Sequence, residues 1–134
     1  MPDYAKVYLA VDRLPPGPWV YGRLVEPGSK AEDGAIVEVL DAEDRFCGHG
    51  LYNSTSDVRV RLLSRGKRSD LAHPREFLRR QLAAALRLRR RVLGLDAVTD
   101  AYRIVHAEGD DLPGLVVDKL GDALVCQYLS LIHI

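Results

Sequence analysis

The chain has 134 residues, 47% hydrophobic and 28% charged, with equal numbers of basic and acidic side chains and a formal net charge of zero. That is room for one domain or two very small ones, and the composition excludes an intrinsically disordered chain. No apolar run approaches the roughly eighteen residues that span a bilayer, and Met1-Pro2-Asp3-Tyr4-Ala5-Lys6 lacks the pattern of a signal peptide, so the expected location is cytoplasmic.

The first half reads as β structure. Tyr4–Val11 is strand-like, and Arg13-Leu14-Pro15-Pro16-Gly17-Pro18 ends it. Trp19–Val25 resumes, Pro27-Gly28 turns the chain, Ile36–Leu40 forms a third strand, and Asp41–Asp44 is an acidic turn. Arg45–Tyr52 is a fourth strand with Gly48 and Gly50 inside it, the mark of a bulge or a close backbone approach. In Asp57–Leu63, Val58, Val60 and Leu62 alternate with Arg59 and Arg61, so apolar and basic side chains take opposite faces. Short strands with strong turns predict a small barrel of five or six strands.

The period then changes. Pro74 suits a first helical turn, Gly94 suits a C-cap, and Leu78, Leu82, Ala85, Leu86 and Leu93 share one predicted core face. Arg79, Arg80, Arg87, Arg90 and Arg91 fall on the opposite side. Arg89 lands among the leucines, where a guanidinium needs a carboxylate from the last segment. Residues 102–107 and 114–129 return to strands, separated by turns at Glu108–Gly114 and Gly121-Asp122. The fold class is α+β, with a polar, basic boundary over residues 64–72.

Charge is unevenly spread. Twelve basic residues lie between Arg59 and Arg91 against two acids, Asp70 and Glu76, giving this stretch +10 between flanks of −5 each. Eleven of the twelve are Arg, whose planar fork suits phosphates and base edges. Such a band can hold a polyanion, or it can be a solvated face that pairs with the acidic flanks. Trp19, Tyr21 and Tyr52 are the aromatics that could stack on bases beside it, against the alternative of core packing.

Other constellations are weaker. Gly48-His49-Gly50 lacks the third glycine and the helix of a dinucleotide loop. Glu108, Asp110, Asp111 and Asp118 do not match a calcium loop and read as an acidic turn. The four histidines share no ligand spacing, and no nucleophile has an activating neighbour. Cys47 and Cys126 are expected to be buried free thiols.

The order of motifs resembles the N-terminal half of the SAM-dependent ribosomal RNA cytosine-C5 methyltransferases of the large-subunit type, which begin with a PUA domain. The matching pieces are Gly17-Pro18-Trp19-Val20-Tyr21, Gly34-Ala35-Ile36-Val37-Glu38-Val39, and Gly48-His49-Gly50-Leu51-Tyr52-Asn53 leading to Ser56, Arg59 and Arg61. Ala85-Leu86-Arg87-Leu88-Arg89 follows, and the most specific piece runs from Tyr102-Arg103-Ile104-Val105-His106 through Leu112-Pro113-Gly114 to Asp118. The family carries a His where this chain has Gly17.

The resemblance implies a PUA-like RNA-binding domain over residues 1–68 and an α/β linking domain over residues 69–134, a helix and β-hairpin truncated at the C-terminus. The catalytic Rossmann-like domain, with its S-adenosylmethionine and cysteine nucleophile, is missing. Cys47 and Cys126 lie upstream of it, so this chain carries neither cofactor nor catalytic residue. Implied partners are structured RNA of the large ribosomal subunit and the missing catalytic domain. Expected RNA contacts are Trp19, Tyr52, Arg59, Arg61, Arg65, Lys67, Arg68, Arg79 and Arg87, and Leu131-Ile132-His133-Ile134 is a foreign or truncated end. The alternatives are a stand-alone PUA-like adaptor without enzymatic activity, and an arginine face that docks an acidic neighbouring domain.

Overall fold

The computed structural model describes residues 1–128, so the expectation about Leu131-Ile132-His133-Ile134 lies outside the described residues. The chain divides into two compact units, Met1–His73 and a second that begins at Pro74.

The first unit contains β1 (Ala5–Tyr8), β2 (Trp19–Tyr21), β3 (Ile36–Leu40), β4 (Phe46–Tyr52) and β5 (Val58–Ser64). They form one sheet in the order β1-β3-β4-β5-β2, with β1 parallel to β3 and the other pairs antiparallel. Period-2 alternation turns Val7, Val20, Val37, Val39, Val60 and Leu62 to one side, where they pack with Leu9, Val25 and Tyr52 into a single core. All five strands feed that core, so the sheet curls around it.

The curl stops short of the closed barrel expected from strand spacing. β1 and β2, at the two ends, do not pair. A 3-10 turn at Gly22–Leu24 breaks the second strand before it can lie along the first. The gap is spanned instead by the chain beyond each strand: Leu9 bridges Val25, Ala10 N–H donates to the Leu24 carbonyl and Glu26 N–H donates to the Tyr8 carbonyl, both at 2.8 Å.

Gly48 and Gly50 are required by close approach. A Cβ on Gly50 would stand 2.3 Å from Val60 Cγ1 and 2.7 Å from the Arg61 carbonyl oxygen, and one on Gly48 would stand 2.4 Å from the Ser64 carbonyl oxygen. The register of β4 against β5 slips at His49/Gly50, the bulge that the two glycines suggested.

The second unit contains α1 (Pro74–Arg87), β6 (Ala101–His106), β7 (Leu115–Leu120) and β8 (Ala123–Tyr128), the strands forming an antiparallel sheet in that order. The helix loosens into a π-type turn over Leu88–Val92 and ends at Gly94, whose φ of +62° is the left-handed cap conformation that glycine adopts at little cost. Ala85 of α1 packs with Val105, Leu112 and Val117, its small side chain allowing the helix backbone close to the sheet.

The helix is rotated from the expected orientation. The stripe turned inward is Phe77, Ala85 and half-buried Gln81 and Arg89, whereas Leu78, Leu82, Leu86 and Leu93 of the predicted core face are exposed. What anchors the rotation is Arg89, which makes a two-pronged bond to Asp110, Nη1 to Oδ1 and Nη2 to Oδ2 at 2.8 Å. Asp110 also accepts the His106 N–H at 2.6 Å. Burial alone would raise the Asp110 carboxyl, but the bonds from Arg89 and from the His106 amide outweigh it and hold it below the usual carboxylate range. A charged pair, rather than the leucines, sets which side of the helix meets the sheet.

The cysteines also depart from expectation. Both thiols are unpaired, but Cys47 is only half-buried and Cys126 is exposed. The latter follows from β8, whose residues are all exposed along the strand.

Candidate nucleic-acid interface

The first unit concentrates arginine and aromatic side chains on the outer side of the β2–β5 ribbon. Trp19 stands opposite Arg61 and Val20 opposite Val60, but Tyr21 stands opposite Val58, so Arg59 is the extra, bulged residue of β5. A bulge re-aims its side chain. That of Arg59 crosses Gly22, where an added Cβ would lie 2.8 Å from its Nη2. The Arg59 Nε is buried and has no hydrogen-bond partner.

Two arginines lie over aromatic rings here. The Arg61 guanidinium sits 5.4 Å from the centre of the Trp19 indole, and that of Arg23 sits 5.1 Å from the centre of the Tyr21 ring. These are cation–π distances. Arg61 is only 6% exposed while Trp19 is 38% exposed, so the guanidinium is buried against the indole and solvent reaches over a third of Trp19.

The other expected residues of the first unit have four different surroundings. Tyr52 is 2% exposed and belongs to the core, where alternation along β4 places it, so its ring offers no stacking face. Arg65 donates from Nη2 to the carbonyl oxygens of Pro15 and Gly17, which leaves its charge unneutralised and braces the Pro-rich loop. Lys67 is exposed, whereas Arg68 donates from Nε to Glu38 at 3.0 Å and lies 4.9 Å over the Phe46 ring, so its charge is already matched.

Beneath Arg68 lies His49, 0% exposed, with neither ring nitrogen hydrogen-bonded and Nε2 4.0 Å from Glu38 Oε1. Burial pushes the His49 imidazole below the ordinary histidine range, against the opposing pull of Glu38 and Asp70. Its ring is packed edge-on against Phe46 and Tyr4.

In the second unit, Arg79 and Arg87 are both exposed on α1, Arg79 at 3.8 Å from Glu76. Arg90 is bonded to Asp96 at 2.6 Å. In the acidic turn Asp110 is bonded by Arg89 and Asp118 by Arg103 at 2.8 Å, and the described residues hold no group of three potential metal ligands. No helix among the described residues is long and apolar enough to cross a membrane.

Arg23 is the functional candidate that sequence reading missed. It lies outside the charge-rich band, and only its placement two residues beyond Tyr21 signals it, since a short turn brings it back over that ring.

Residues 17–65 match the model of a PUA-like domain, and this segment contains β2, β5 and the whole ribbon. The chain therefore carries a PUA-like domain in an α+β fold. Over most of its length it is related to proteins named ribosomal RNA large subunit methyltransferase. That of Deinococcus radiodurans is 39% identical over 117 residues, 84% of this chain and 28% of its own length. The enzymes named ribosomal RNA large subunit methyltransferase I of Photobacterium profundum and Tolumonas auensis are 35% and 33% identical, covering 84% and 92% of this chain and 28% and 32% of their own. The chain thus spans under a third of the length of these relatives. In three dimensions it is similar to SMU.776, a proposed methyltransferase solved with SAH, with a TM-score of 0.67 and 18% identity, covering 96% of this chain and 34% of that one.

Proposed function

We propose that this chain is the RNA-binding portion of a larger cytoplasmic, SAM-dependent ribosomal RNA cytosine-C5 methyltransferase, and does not itself carry out the methyl transfer. The observation that carries the reading is the β2–β5 ribbon: the segment matching a PUA-like domain is the one that sets Trp19, Tyr21, Arg59 and Arg61 along one pair of strands, with Arg23 in the turn that follows β2. The names of the relatives supply the class of RNA, that of the large ribosomal subunit.

The residues present do not fit S-adenosylmethionine. Gly48-His49-Gly50 lies inside β4 with the β5 backbone against it, leaving no loop to receive a ligand and no helix after it. The cofactor belongs to the larger protein. Within the second unit, the exposed Leu78, Leu82 and Leu86 of α1 and the exposed apolar residues of β8 are surfaces on which that larger part would pack.

The test is salt-dependent RNA binding. On and beside the ribbon, Arg23, Arg59, Arg65 and Lys67 are basic residues that no carboxylate among the described residues bonds, whereas Arg68 is held by Glu38. Four phosphate contacts give a log–log slope of affinity against salt of about −3 on single-stranded RNA, and about −4 with the duplex coefficient. A flat salt response would refute the reading.

A further inference from the structure

The geometry of the ribbon bears on the strand state of the RNA, a point that rests on the RNA-binding reading above. Trp19 and Tyr21 are two residues apart on β2, and because the bulge lies in β5 the alternation of β2 is undisturbed, so both rings rise from the same side. That spacing is about 6.6 Å, two stacking steps of about 3.4 Å each. An unpaired strand can open to it; a duplex, with its bases already stacked inside, cannot. Shape-reading of a duplex needs phosphate and sugar contacts but no aromatic platform.

The arginines complete the arrangement. Arg61 packs against Trp19 and is too buried to reach a phosphate. Arg23, exposed, lies over the second ring, and half-buried Arg59 crosses Gly22 with its Nη2 end, so both residues are more open than Arg61. We propose that the β2–β5 ribbon binds unpaired RNA, Trp19 and Tyr21 each stacking a base while Arg23 and Arg59 hold the phosphates beside them. Stacking is sequence-tolerant because every base has a π face, so this site selects strand state rather than sequence.

Trp19 is the single tryptophan of the chain and reports on its own occupancy. The full chain is titrated with a single-stranded ten-nucleotide RNA of mixed sequence and with a blunt RNA duplex of equal phosphate number. Tryptophan emission and the anisotropy of labelled RNA are both read. The single strand is expected to quench Trp19 and the duplex is not. Trp19→Leu should weaken single-strand binding by about 5- to 150-fold, the usual range for losing one base–aromatic stack, and Trp19→Phe should restore most of it. Tyr21→Leu, which keeps the fluorophore, repeats the test at the second ring, with circular dichroism confirming that each variant folds. If Trp19→Leu and Tyr21→Leu bind the single strand like wild type and no quenching occurs, the platform is refuted while the RNA reading stands. If neither RNA binds at any salt concentration, the RNA reading itself falls, and the platform with it.

Discussion

Replacing Asp110 with alanine should remove about 3–5 kcal/mol from the stability of the second unit. The carboxylate takes both prongs of Arg89 and the His106 N–H, and the two side chains are 13% and 6% exposed. Removing it leaves a guanidinium in a nearly dry site with one remaining acceptor, the Ala85 carbonyl at 3.3 Å. Stranding one member of a buried ion pair costs about 3–5 kcal/mol. A unit of this size has only about 3–8 kcal/mol of stability to lose, and its apolar core is small, Ala85, Val105, Leu112 and Val117. The assay is urea denaturation followed at 222 nm, because α1 is the only α-helix among the described residues and lies in this unit. At roughly 1 kcal/mol per molar urea the midpoint should fall by about 3–5 M, which removes much of the unit's stability. Arg89→Met combined with Asp110→Ala removes both charges and should return to within about 2 kcal/mol of wild type. A single variant within 1 kcal/mol of wild type, or a double variant as unstable as the single, would show that the pair does not hold the helix on the sheet.

Gly50→Ala should destabilise the first unit by about 1–3 kcal/mol in a urea titration, since its Cβ meets the Val60 side chain and the Arg61 backbone, neither of which can step aside freely. Gly22→Ala meets only the far end of the Arg59 side chain, so stability should change by less than about 1 kcal/mol, while RNA affinity measured by anisotropy should fall several-fold as Arg59 is displaced. Leu82→Glu, on the exposed stripe of α1, should leave this chain's urea midpoint within about 0.5 kcal/mol of wild type; a large loss would mean that the stripe is already covered. His49 gives a pH dependence of defined sign. Its folded pKa lies below its unfolded value of about 6.5, so the unfolded chain binds more protons in the window just below that pH. Its contribution to stability is therefore intact above about 6.5 and drains away as pH falls towards the folded pKa, at up to about 1.4 kcal/mol per pH unit. The stability difference between pH 7.5 and 5.5 should shrink in His49→Gln, and an unchanged difference would remove His49 as the cause.

Local pattern carried much of this far. The alternation of Val58, Val60 and Leu62 with Arg59 and Arg61 placed β5 and its two faces, because a strand has a period of two whatever surrounds it. Pro74 and Gly94 bounded the helical segment, Gly48 and Gly50 announced the bulge, and the misplaced Arg89 asked for a carboxylate that Asp110 supplies. The resemblance in motif order pointed to the same relatives that sequence comparison returned.

Partnership between distant segments was another matter. Only the folded chain shows that β1 runs parallel to β3, that the sheet stays open beside β2, and that Arg89 rather than the leucines turns α1 towards its sheet. The same holds for the site: Arg61, Arg65 and Arg68 carry identical charge in the sequence, yet one is buried against Trp19, one braces two carbonyls and one is matched by Glu38. Composition and periodicity depend on each residue and its near neighbours. Which charge is neutralised, which ring is covered and which face of a helix is buried depend on groups brought together from far along the chain, and those are decided only when the tertiary structure forms.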